Sequence, residues 1–303
     1  MSAASPDREV GTSGAPIVSL ENFGFTYPNA AAPALSRISL SVAPGEFVGI
    51  TGEEGSGRTT LFRALNGSAV RHYKGSRTGQ AIIGGLDACT AGHATIGAFT
   101  ASIFDDPDSQ IVSLTAGEEV GFSLAQRGFS QAAIRERVEK ALAEVGLSGF
   151  SRRSTSSLSG GQKQRLIAAA ALALEPTLIL LDESTSALDP RGKREFYDLL
   201  DRLRRENNVA IIAIERDLEL LMERADRIVV LHEGYVLLDG KPRDMASSRH
   251  ILRTAGLRLP AWMETVEILK SQGWLEGKAP ESEAEAVALI AELLESVEGA
   301  MAS

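Results

Sequence analysis

A glycine-rich segment between an apolar strand and a helix constrains the fold of this chain more than any other feature. The segment covers residues 52–60, with the sequence GEEGSGRTT, and follows the apolar run Phe47-Val48-Gly49-Ile50. Glycines let backbone N–H groups converge on an anion, and the N-terminus of the next helix adds a favourable dipole. This order of elements predicts a phosphate-binding loop. A glycine-rich turn can also be purely structural, so the choice between these two interpretations depends on other segments of the chain.

Further apolar runs indicate an α/β fold around a buried parallel sheet. Residues 178–181 read LILL and residues 209–214 read VAIIAI, on either side of a helical stretch at about 191–206. Continuous runs of this length are typical of parallel strands that are buried on both faces. The N-terminal part is strand-like at 17–20 and 38–42, with turn-prone residues between these strands.

We expect a flexible tail, one large α/β domain and a small helical appendage. Residues 1–15 are small and polar and bury too little surface to become ordered. The large domain covers 16–245, and its helical lobe at about 100–165 contains an amphipathic helix over residues 131–145. Residues 246–303 have a helical pattern with one apolar stripe formed by Val287, Ile290, Leu294 and Val297.

Composition and charge argue against several classes of function. The formal net charge of −9 disfavours a nucleic-acid partner, because binding to a phosphate backbone requires a basic surface. The single cysteine, Cys89, has no second thiol for a disulfide or a zinc site, which indicates a reducing compartment, and we expect it to be buried or idle. Apolar stretches are far shorter than the roughly 20 residues that span a bilayer. Any membrane role therefore needs a partner.

Two carboxylates follow the apolar run at 178–181. Asp182 is suited to hold Mg²⁺, and Glu183 is suited to orient or deprotonate an attacking water. In the glycine-rich loop, Thr59 stands where a hydroxyl ligates Mg²⁺, whereas Arg58 stands where the pattern demands lysine. An acidic pair at a strand end can equally face solvent, so this pair supports a metal site only in combination with the other motifs.

The most specific feature is the segment Leu158-Ser159-Gly160-Gly161-Gln162, which opens a helix rich in alanine and leucine. Through it the chain resembles the ATP-binding cassette family, whose signature motif has these five residues. The resemblance covers about 17–245 and implies an α/β fold, the P-loop NTPase nucleotide-binding domain. That fold would have an antiparallel β subdomain, a helical signature lobe and a small C-terminal helical appendage. It also implies a head-to-tail dimer in which each ATP lies between one phosphate loop and the other subunit's signature.

The family resemblance gives roles to residues outside the loop. Tyr27, in the segment Phe25-Thr26-Tyr27-Pro28, would stack on adenine, although a tyrosine at a strand end can simply be packed. The D-loop would be Ser186-Ala187-Leu188-Asp189. Arg216 occupies the switch position and would act with Glu183 in catalysis.

The same resemblance implies two sets of ligand-binding residues, with ATP and Mg²⁺ as cofactors. Mg²⁺ would be held by Thr59, Asp182 and Asp105. The chain's own ATP would be bound by Tyr27, Gly52, Glu53, Glu54, Gly55, Ser56, Gly57, Arg58, Thr59 and Thr60, and the partner's ATP by Ser159, Gly160, Gly161 and Gln162.

A narrower resemblance is to the energy-coupling-factor branch, which includes cobalt and vitamin importers. It is carried by residues 106–115 (DPDSQIVSLT), residues 118–122 (EEVGF) and the tail Gly256-Leu257-Arg258-Leu259-Pro260. In that branch the tail contributes to ATPase dimerisation, and the segment around Gln110 couples to a membrane scaffold. Asp108 and Gln110 would then belong to a coupling surface. A charge-rich stretch can otherwise be a solvated face.

Three positions depart from the family pattern: Arg58 replaces lysine, Asp105 replaces the Q-loop glutamine, and Arg216 replaces the switch histidine. A guanidinium is planar and larger than an ammonium group, and it cannot imitate a neutral imidazole. All three positions belong to this chain's own nucleotide site, while the signature that serves the partner is intact. We expect ATP binding to survive better than turnover. A heterodimer is favoured over a homodimer that has adapted to arginine.

The sequence therefore favours an ATP-hydrolysing subunit at the cytoplasmic face of the membrane. It would form one half of a heterodimer that energises an importer for a vitamin or a transition metal. Its partners would be a second ATPase subunit, an integral membrane scaffold and substrate-binding membrane subunits. Two alternatives stay open: a regulatory or structural subunit with little hydrolysis of its own, and a soluble protein of this family without a membrane partner.

Overall fold

The computed structural model describes residues 15–185, 188–245, 247–275, 277, 280 and 282–301. The predicted tail, apart from Ala15, and two residues of the predicted D-loop, Ser186 and Ala187, lie outside the described residues. The strands are β1 (Val18–Thr26), β2 (Leu35–Val42), β3 (Phe47–Gly52), β4 (Ser76–Ile83), β5 (Leu86–Asp87), β6 (Thr100–Ile103), β7 (Leu178–Asp182), β8 (Ala210–Ile214), β9 (Arg227–His232) and β10 (Tyr235–Gly240).

The α-helices are α1 (Arg58–Leu65), α2 (Ala69–Tyr73), α3 (Ala88–Ala91), α4 (His93–Ile96), α5 (Pro107–Gln110), α6 (Ala116–Gln126), α7 (Gln131–Glu144), α8 (Gly160–Leu172), α9 (Pro190–Asn207), α10 (Leu218–Arg224), α11 (Arg249–Thr254), α12 (Ala261–Ser271) and α13 (Glu283–Met301). Short 3₁₀ turns cover Thr155–Ser157 and Pro242–Asp244. Within the described part of the chain, no helix is long and apolar enough to cross a membrane.

The main sheet has the strand order β10-β9-β3-β8-β7-β6 and is parallel except for its edge strand β10. Ile179 and Leu181 of β7 point into one hydrophobic cluster, while Leu178 and Leu180 point into a second cluster. Successive side chains of a strand alternate between faces, so β7 is buried on both sides. This confirms the prediction made from the apolar run at 178–181.

A second sheet has the order β2-β1-β4-β5 and is antiparallel throughout. Phe23 and Phe25 of β1 are buried in the same cluster as Leu61 and Phe62 of α1. The small sheet therefore packs onto the helix that follows the glycine-rich loop. Cys89 of α3 is also buried in this cluster, as predicted, and burial raises the pKa of its thiol.

The helical lobe differs from its predicted bounds. Residues 100–103, predicted to be part of the lobe, form β6 and pair with β7 in the main sheet. The prediction was wrong at this end because this strand is too short to show a clear period in the sequence. The amphipathic helix predicted over 131–145 is confirmed as α7, with Val138 and Leu142 on its buried face.

The C-terminal helices continue the core of the large domain. Leu252, Leu259 and Met263 belong to the same hydrophobic cluster as β7 and α9. A small separate cluster contains Val266, Leu275 and Ala286. Val287 and Leu294 of the predicted apolar stripe on α13 are exposed and lie outside both clusters, and the side chain of Val297 lies outside the described part of the chain.

We predict that Leu180→Ala lowers the free energy of unfolding by about 2–5 kcal/mol, because Leu180 is fully buried between the sheet and the helices. Urea unfolding followed by circular dichroism measures the change. The matched control is Leu114→Ala, which removes an exposed leucine and should change the free energy by less than about 0.5 kcal/mol. Equal effects of the two substitutions would contradict the assignment of this core.

Candidate nucleotide site and signature face

The glycine-rich loop joins the end of β3 to the first turn of α1. Gly55 and Gly57 have φ values of +81° and +104°, in the region that glycine adopts most readily. A Cβ atom at Gly57 would lie 2.7 Å from the carbonyl oxygen of Ala34, whereas one at Gly55 would meet no heavy atom within 4 Å. The loop is therefore packed against the small sheet at Gly57 and open at Gly55, where an anion can approach its backbone.

The two acidic residues of the loop take different directions. Glu53 lies against the end of β9, with its Oε1 atom 2.9 Å from Nδ1 of His232. A Cβ atom at Gly256, after α11, would lie 3.1 Å from the other carboxylate oxygen of Glu53. Glu54 is exposed and acts electrostatically on Arg216. The Glu53 carboxylate is thus engaged by the protein at the C-terminal side of the loop.

Two of the positions that differ from the family pattern carry arginines, Arg58 and Arg216, and these contact the same carboxylate oxygen. Arg58 Nη1 lies 3.1 Å from Oε1 of Glu183, and Arg216 Nε lies 2.8 Å from the same atom. The Arg58 side chain is only 7% exposed, whereas that of Arg216 is 63% exposed. The interaction with Glu183 raises the pKa of Arg216, so this guanidinium stays charged. We call the three residues the Glu183 clamp.

The Glu183 clamp limits what the carboxylate can do. A carboxylate oxygen has about two lone-pair sites, and both sites of Oε1 already accept hydrogen bonds. A water molecule can use Oε1 only after one guanidinium has left it. The Arg58 guanidinium also binds Glu183, whereas a lysine at this position of a phosphate loop reaches the β- and γ-phosphates.

A second group of carboxylates lies beside the clamp. Burial and the neighbouring charges of Glu183 and Asp105 raise the pKa of Asp182 to about 6. Asp182 and Thr59 line one cavity of about 520 Å³. Among the described residues, no cluster of three or more His, Cys, Asp or Glu side chains could hold a metal by itself. The hydroxyl and the carboxylate fit a Mg²⁺ ion whose remaining ligands come from phosphate and water.

Tyr27 is held above the first two turns of α1. Its hydroxyl accepts a hydrogen bond from Arg63 Nη1 at 2.8 Å and lies 3.1 Å from Oγ1 of Thr60. Its ring packs edge-on against Phe25 and Tyr73, with centroid distances of 5.0 and 5.9 Å. Arg63 also lies 4.2 Å from the centroid of the Tyr73 ring. The predicted adenine residue is therefore tied to the helix of the phosphate loop.

The predicted signature residues form a separate face. Ser159 caps α8: its Oγ accepts from the N–H of Gln162, and its own N–H donates to Oε1 of Gln162 at 3.1 Å. Asp189 caps α9 and accepts from the N–H of Gly192 at 2.6 Å. These residues line a cavity of about 690 Å³ with Gly160 and Gly161. None of the described residues that line this cavity belongs to the phosphate loop.

The predicted coupling residues are joined to both faces. Gln110 accepts from the N–H of Phe104 at 2.8 Å and donates to the carbonyl oxygen of Ser102 at 3.1 Å, so its amide fixes the backbone just before Asp105. Asp108 forms an ion pair with Lys163 in the first turns of α8. The segment around α5 thus contacts the Q-loop position and the signature helix at once.

Sequence reasoning missed several residues that the structure brings to these sites. Arg63 holds Tyr27, Lys163 pairs with Asp108, and Glu215 lies buried beside Arg216. Arg63 and Lys163 resemble ordinary surface charges in the sequence. Glu215 does carry a signal, because it directly continues the apolar run at 209–214 with a charged residue.

Comparisons with known proteins agree with this architecture. A family model described as ABC transporter matches residues 35–186. A putative ABC transporter ATP-binding protein of Pyrococcus horikoshii is 36% identical over 260 residues, which is 86% of this chain and 92% of that protein. The energy-coupling factor transporter ATP-binding protein EcfA1 of Lactobacillus delbrueckii subsp. bulgaricus is 35% identical over 259 residues, 85% of this chain and 90% of that protein.

A solved structure gives the same result for the fold. The structure of cbiO1 from Clostridium perfringens, described as part of the ABC transporter complex cbiONQ, is similar with a TM-score of 0.71 and 30% sequence identity. The match covers 84% of this chain and 99% of that one. The sequence relatives and the solved structure each match more than four fifths of this chain. The chain therefore belongs to the ATP-binding cassette (ABC) transporter ATPase family, in its energy-coupling-factor branch.

Proposed function

We propose that this chain is the slow half of an asymmetric ATPase pair in an importer of the energy-coupling-factor type. Membership of the family makes it an ATP-binding ATPase whose hydrolysis is coupled to transport. The proposal adds a second, different ATPase subunit, an integral membrane scaffold and substrate-binding membrane subunits as partners. The complex would work at the cytoplasmic face of the membrane and import a vitamin or a transition metal.

The Glu183 clamp is the observation that carries the asymmetry. An ATPase needs a group that orients the attacking water and cations that stabilise the charge of the transferred phosphoryl group. Arg58 and Arg216 stand at two positions that would supply this electrostatic help, and both bind the residue that would orient the water. Hydrolysis at this site therefore starts from a carboxylate that has one oxygen occupied by two guanidinium groups, and we expect it to be slow.

The signature face supports the other half of the proposal. Ser159, Gly160 and Gly161 keep the family residues, and a Cβ atom at Gly160 would meet no heavy atom within 4 Å. The N-terminus of α8 carries backbone N–H groups and a favourable dipole for an anion. These residues are suited to complete a nucleotide site whose phosphate loop belongs to the partner. Such a site would keep its full turnover.

ATP and Mg²⁺ would be held by residues with distinct tasks. The backbone from Gly52 to Thr60 would bind the phosphates, Tyr27 would stack on the base, and Asp182 with Thr59 would hold the metal. Mg²⁺ would neutralise phosphate charge when bound. The pKa of Asp182 is raised because its charge is buried beside other carboxylates, and a cation would relieve that repulsion. Asp105, which contributes to the repulsion, would lie near the same ion.

The segment after α5 has the properties of a docking surface for a membrane scaffold. Val112 and Leu114 are 67% and 81% exposed. Their loop is nevertheless fixed, because the Glu119 carboxylate accepts hydrogen bonds from the N–H groups of Val112 and Ser113 at 3.0 and 2.8 Å. Exposed apolar residues on a rigid loop favour a protein partner over a solvated face. With Asp108 and Gln110 they form the proposed coupling surface.

The Glu183 clamp also supports a second candidate function, a regulatory subunit that binds ATP and hydrolyses almost none. The two functions differ in the role of the signature. A slow subunit still drives turnover on its partner through Ser159, whereas a purely regulatory subunit changes the partner's rate without taking part in the site. Substitution of Ser159 in the pair separates them, because turnover falls with the signature serine only if this chain takes part in its partner's site.

We predict unequal effects of two substitutions in the purified pair of ATPase subunits. Ser159→Arg fills the signature face and should lower ATPase activity by about tenfold or more, since groups positioned at a phosphoryl transition state contribute several kcal/mol. Glu183→Gln removes the base of the slow site and should leave more than about half of the activity, because the partner's loop supplies the fast site. Steady-state phosphate release measures both.

Two further variants serve as controls for this experiment. Arg58→Lys combined with Arg216→His restores the family residues and should raise the turnover of the isolated chain, while Arg135→Lys, at an exposed position of α7, should not. The asymmetric model is wrong if the isolated wild-type chain hydrolyses ATP briskly as a homodimer. It is equally wrong if Glu183→Gln silences the pair. Arg58 would then be a working substitute for lysine.

We predict that the double substitution Asp108→Ala and Gln110→Ala impairs transport and spares ATP binding. The double variant loses the ion pair with Lys163 and the hydrogen bond that the Gln110 amide accepts from the N–H of Phe104. The phosphate loop itself is unchanged. Uptake into proteoliposomes that contain the whole importer measures transport, and a fluorescent ATP analogue measures binding. Glu206→Ala is a control at an exposed position near the end of α9, on a different element from the coupling surface. Normal uptake by the double variant would remove the coupling assignment.

We predict that Tyr27→Ala weakens ATP binding by about 1–3 kcal/mol, the contribution of an aromatic ring stacked on a base. Tyr27→Phe keeps the ring and loses only the hydrogen bonds to Arg63 and Thr60, so its affinity should stay much closer to that of the wild type. Isothermal titration with ATP and with CTP gives both the affinity and the preference for adenine. An unchanged affinity in Tyr27→Ala would leave Tyr27 as a packing residue.

A further inference from the structure

One buried carboxylate near the nucleotide site has no part in the functions described above. Glu215 directly follows β8, precedes Arg216, and is only 4% exposed. Its Oε1 atom accepts a hydrogen bond from Tyr197 OH at 2.7 Å and another from Thr185 Oγ1 at 3.2 Å. Both donors are themselves buried. A charged group removed from water is costly unless hydrogen bonds compensate it, and here both bonds come from other elements.

The donors belong to the two sides of the D-loop. Thr185 lies two residues after Glu183, before the D-loop. Tyr197 lies in α9, the helix that Asp189 caps at the far end of the D-loop. Tyr197 is fixed in turn, because its ring stacks on Phe47 of β3 with a centroid distance of 6.1 Å and an interplanar angle of 12°.

The backbone around Glu215 joins the same elements. The N–H of Glu215 donates to the carbonyl oxygen of Ile50 in β3, and the N–H of Glu183 donates to that of Ile214, at 3.0 and 2.9 Å. The next residue, Arg216, binds Glu183 through its side chain. Residues 214–216 therefore hold residues 183–185 by a backbone bond, a buried side-chain bond and an ion pair.

We infer that Glu215 is a positioning residue that fixes the two flanks of the D-loop, Thr185 and α9, relative to the catalytic glutamate. Its carboxylate binds Thr185 on the side of Glu183 and Tyr197 on the side of Asp189, so one oxygen atom sets the separation of the two flanks. Asp189 lines the signature face, and Glu183 belongs to the chain's own site. Glu215 thereby ties the position of one nucleotide face to that of the other. The inference rests on the proposed function for its catalytic consequence.

The charges around Glu215 are consistent with this role. Lys193 of α9 favours the carboxylate, Asp217 opposes it, and the Tyr197 and Thr185 hydrogen bonds stabilise it. Burial nevertheless outweighs these contacts and raises the pKa of Glu215. The carboxylate therefore adds no net stability through its charge, and a side chain with a neutral acceptor oxygen should replace it in the same geometry.

The experiment compares Glu215→Gln with Glu215→Leu. Glutamine keeps an acceptor oxygen at the end of a side chain of equal length, and leucine fills a similar volume without an acceptor. The first measurement is hydrogen–deuterium exchange in the nucleotide-free chain. Amides of residues 188–200 should exchange faster in Glu215→Leu and at the wild-type rate in Glu215→Gln. This readout needs no ATPase activity and decides the positioning role even if the proposed function fails.

The second measurement is single-turnover hydrolysis of Mg²⁺-ATP with the chain in excess. Misplacing a catalytic group by about 1 Å costs on the order of a hundredfold in rate. We expect Glu215→Leu to lower the rate at least about tenfold, with the ATP dissociation constant within about threefold of the wild type, and Glu215→Gln to keep at least about half of the rate. Thr185→Val removes one donor and makes the same test if Glu215→Leu does not fold.

A matched control separates positioning from a general loss of buried hydrogen bonds. Thr100→Val removes a buried hydroxyl that donates to the carbonyl oxygen of Ile96 at 2.9 Å, away from Glu215, and should change neither the exchange of residues 188–200 nor the rate. The inference is overturned if Glu215→Leu keeps its rate within about twofold, or if its ATP affinity falls in parallel with its rate. It is also overturned if Glu215→Gln behaves like Glu215→Leu, since the charge would then matter and the shared acceptor would not.

Discussion

The parallel pairing of β3, β8 and β7 is the constraint on which the rest of the structure depends. Ile50 pairs with Ile214, and Asp182 pairs with the same Ile214, so three strands end at one level of the sheet. The residues that follow these strands are the phosphate loop, Glu183 and Arg216. Because parallel strands bring their carboxyl ends to a common edge, groups far apart in sequence meet there. The Glu183 clamp exists because of this register.

The register also explains why the departures from the family pattern have to be considered together. Arg58 follows β3 and Arg216 follows β8, so a larger cation on either strand end reaches toward Glu183 after β7. The charges introduced by Asp105 and Arg216 cancel in the formal sum. That sum does not reveal that Arg58 and Arg216 both contact Glu183. Asp105 instead acts on Asp182, whose pKa is raised by burial first and then by the charges of Glu183 and Asp105. Charge balance in the sequence and charge pairing in space are different quantities.

Much of the fold was predictable because strong local signals agree with the tertiary structure. Every residue of the run at 178–181 is apolar, and the strand that it forms is buried on both faces of the sheet. The helix α7 has the predicted apolar face. The strand β6 was missed because four residues of mixed polarity carry too little pattern. The stripe on α13 was predicted correctly as a pattern, yet Val287 and Leu294 lie exposed, since periodicity indicates a face and not what covers it.

The sequence predicts which residues form the candidate site but not which contacts join them. The sequence places Tyr27, Arg58, Thr59, Asp182 and Glu183 in their motifs, and the structure brings Asp182 and Thr59 to one cavity. It could not reveal that Arg63 fixes Tyr27 or that Lys163 pairs with Asp108, because each pair joins segments that are distant in sequence or lie on separate elements.

A loop with two acidic residues is an unexpected place for a phosphate, and the structure offers a physical resolution. A carboxylate near the phosphates would repel them, but the Glu53 carboxylate lies between His232, at the end of β9, and Gly256, after α11. Gly256 belongs to the same tail that marks the energy-coupling-factor branch. The phosphate loop and the end of α11 therefore lie against each other, at Glu53 and Gly256.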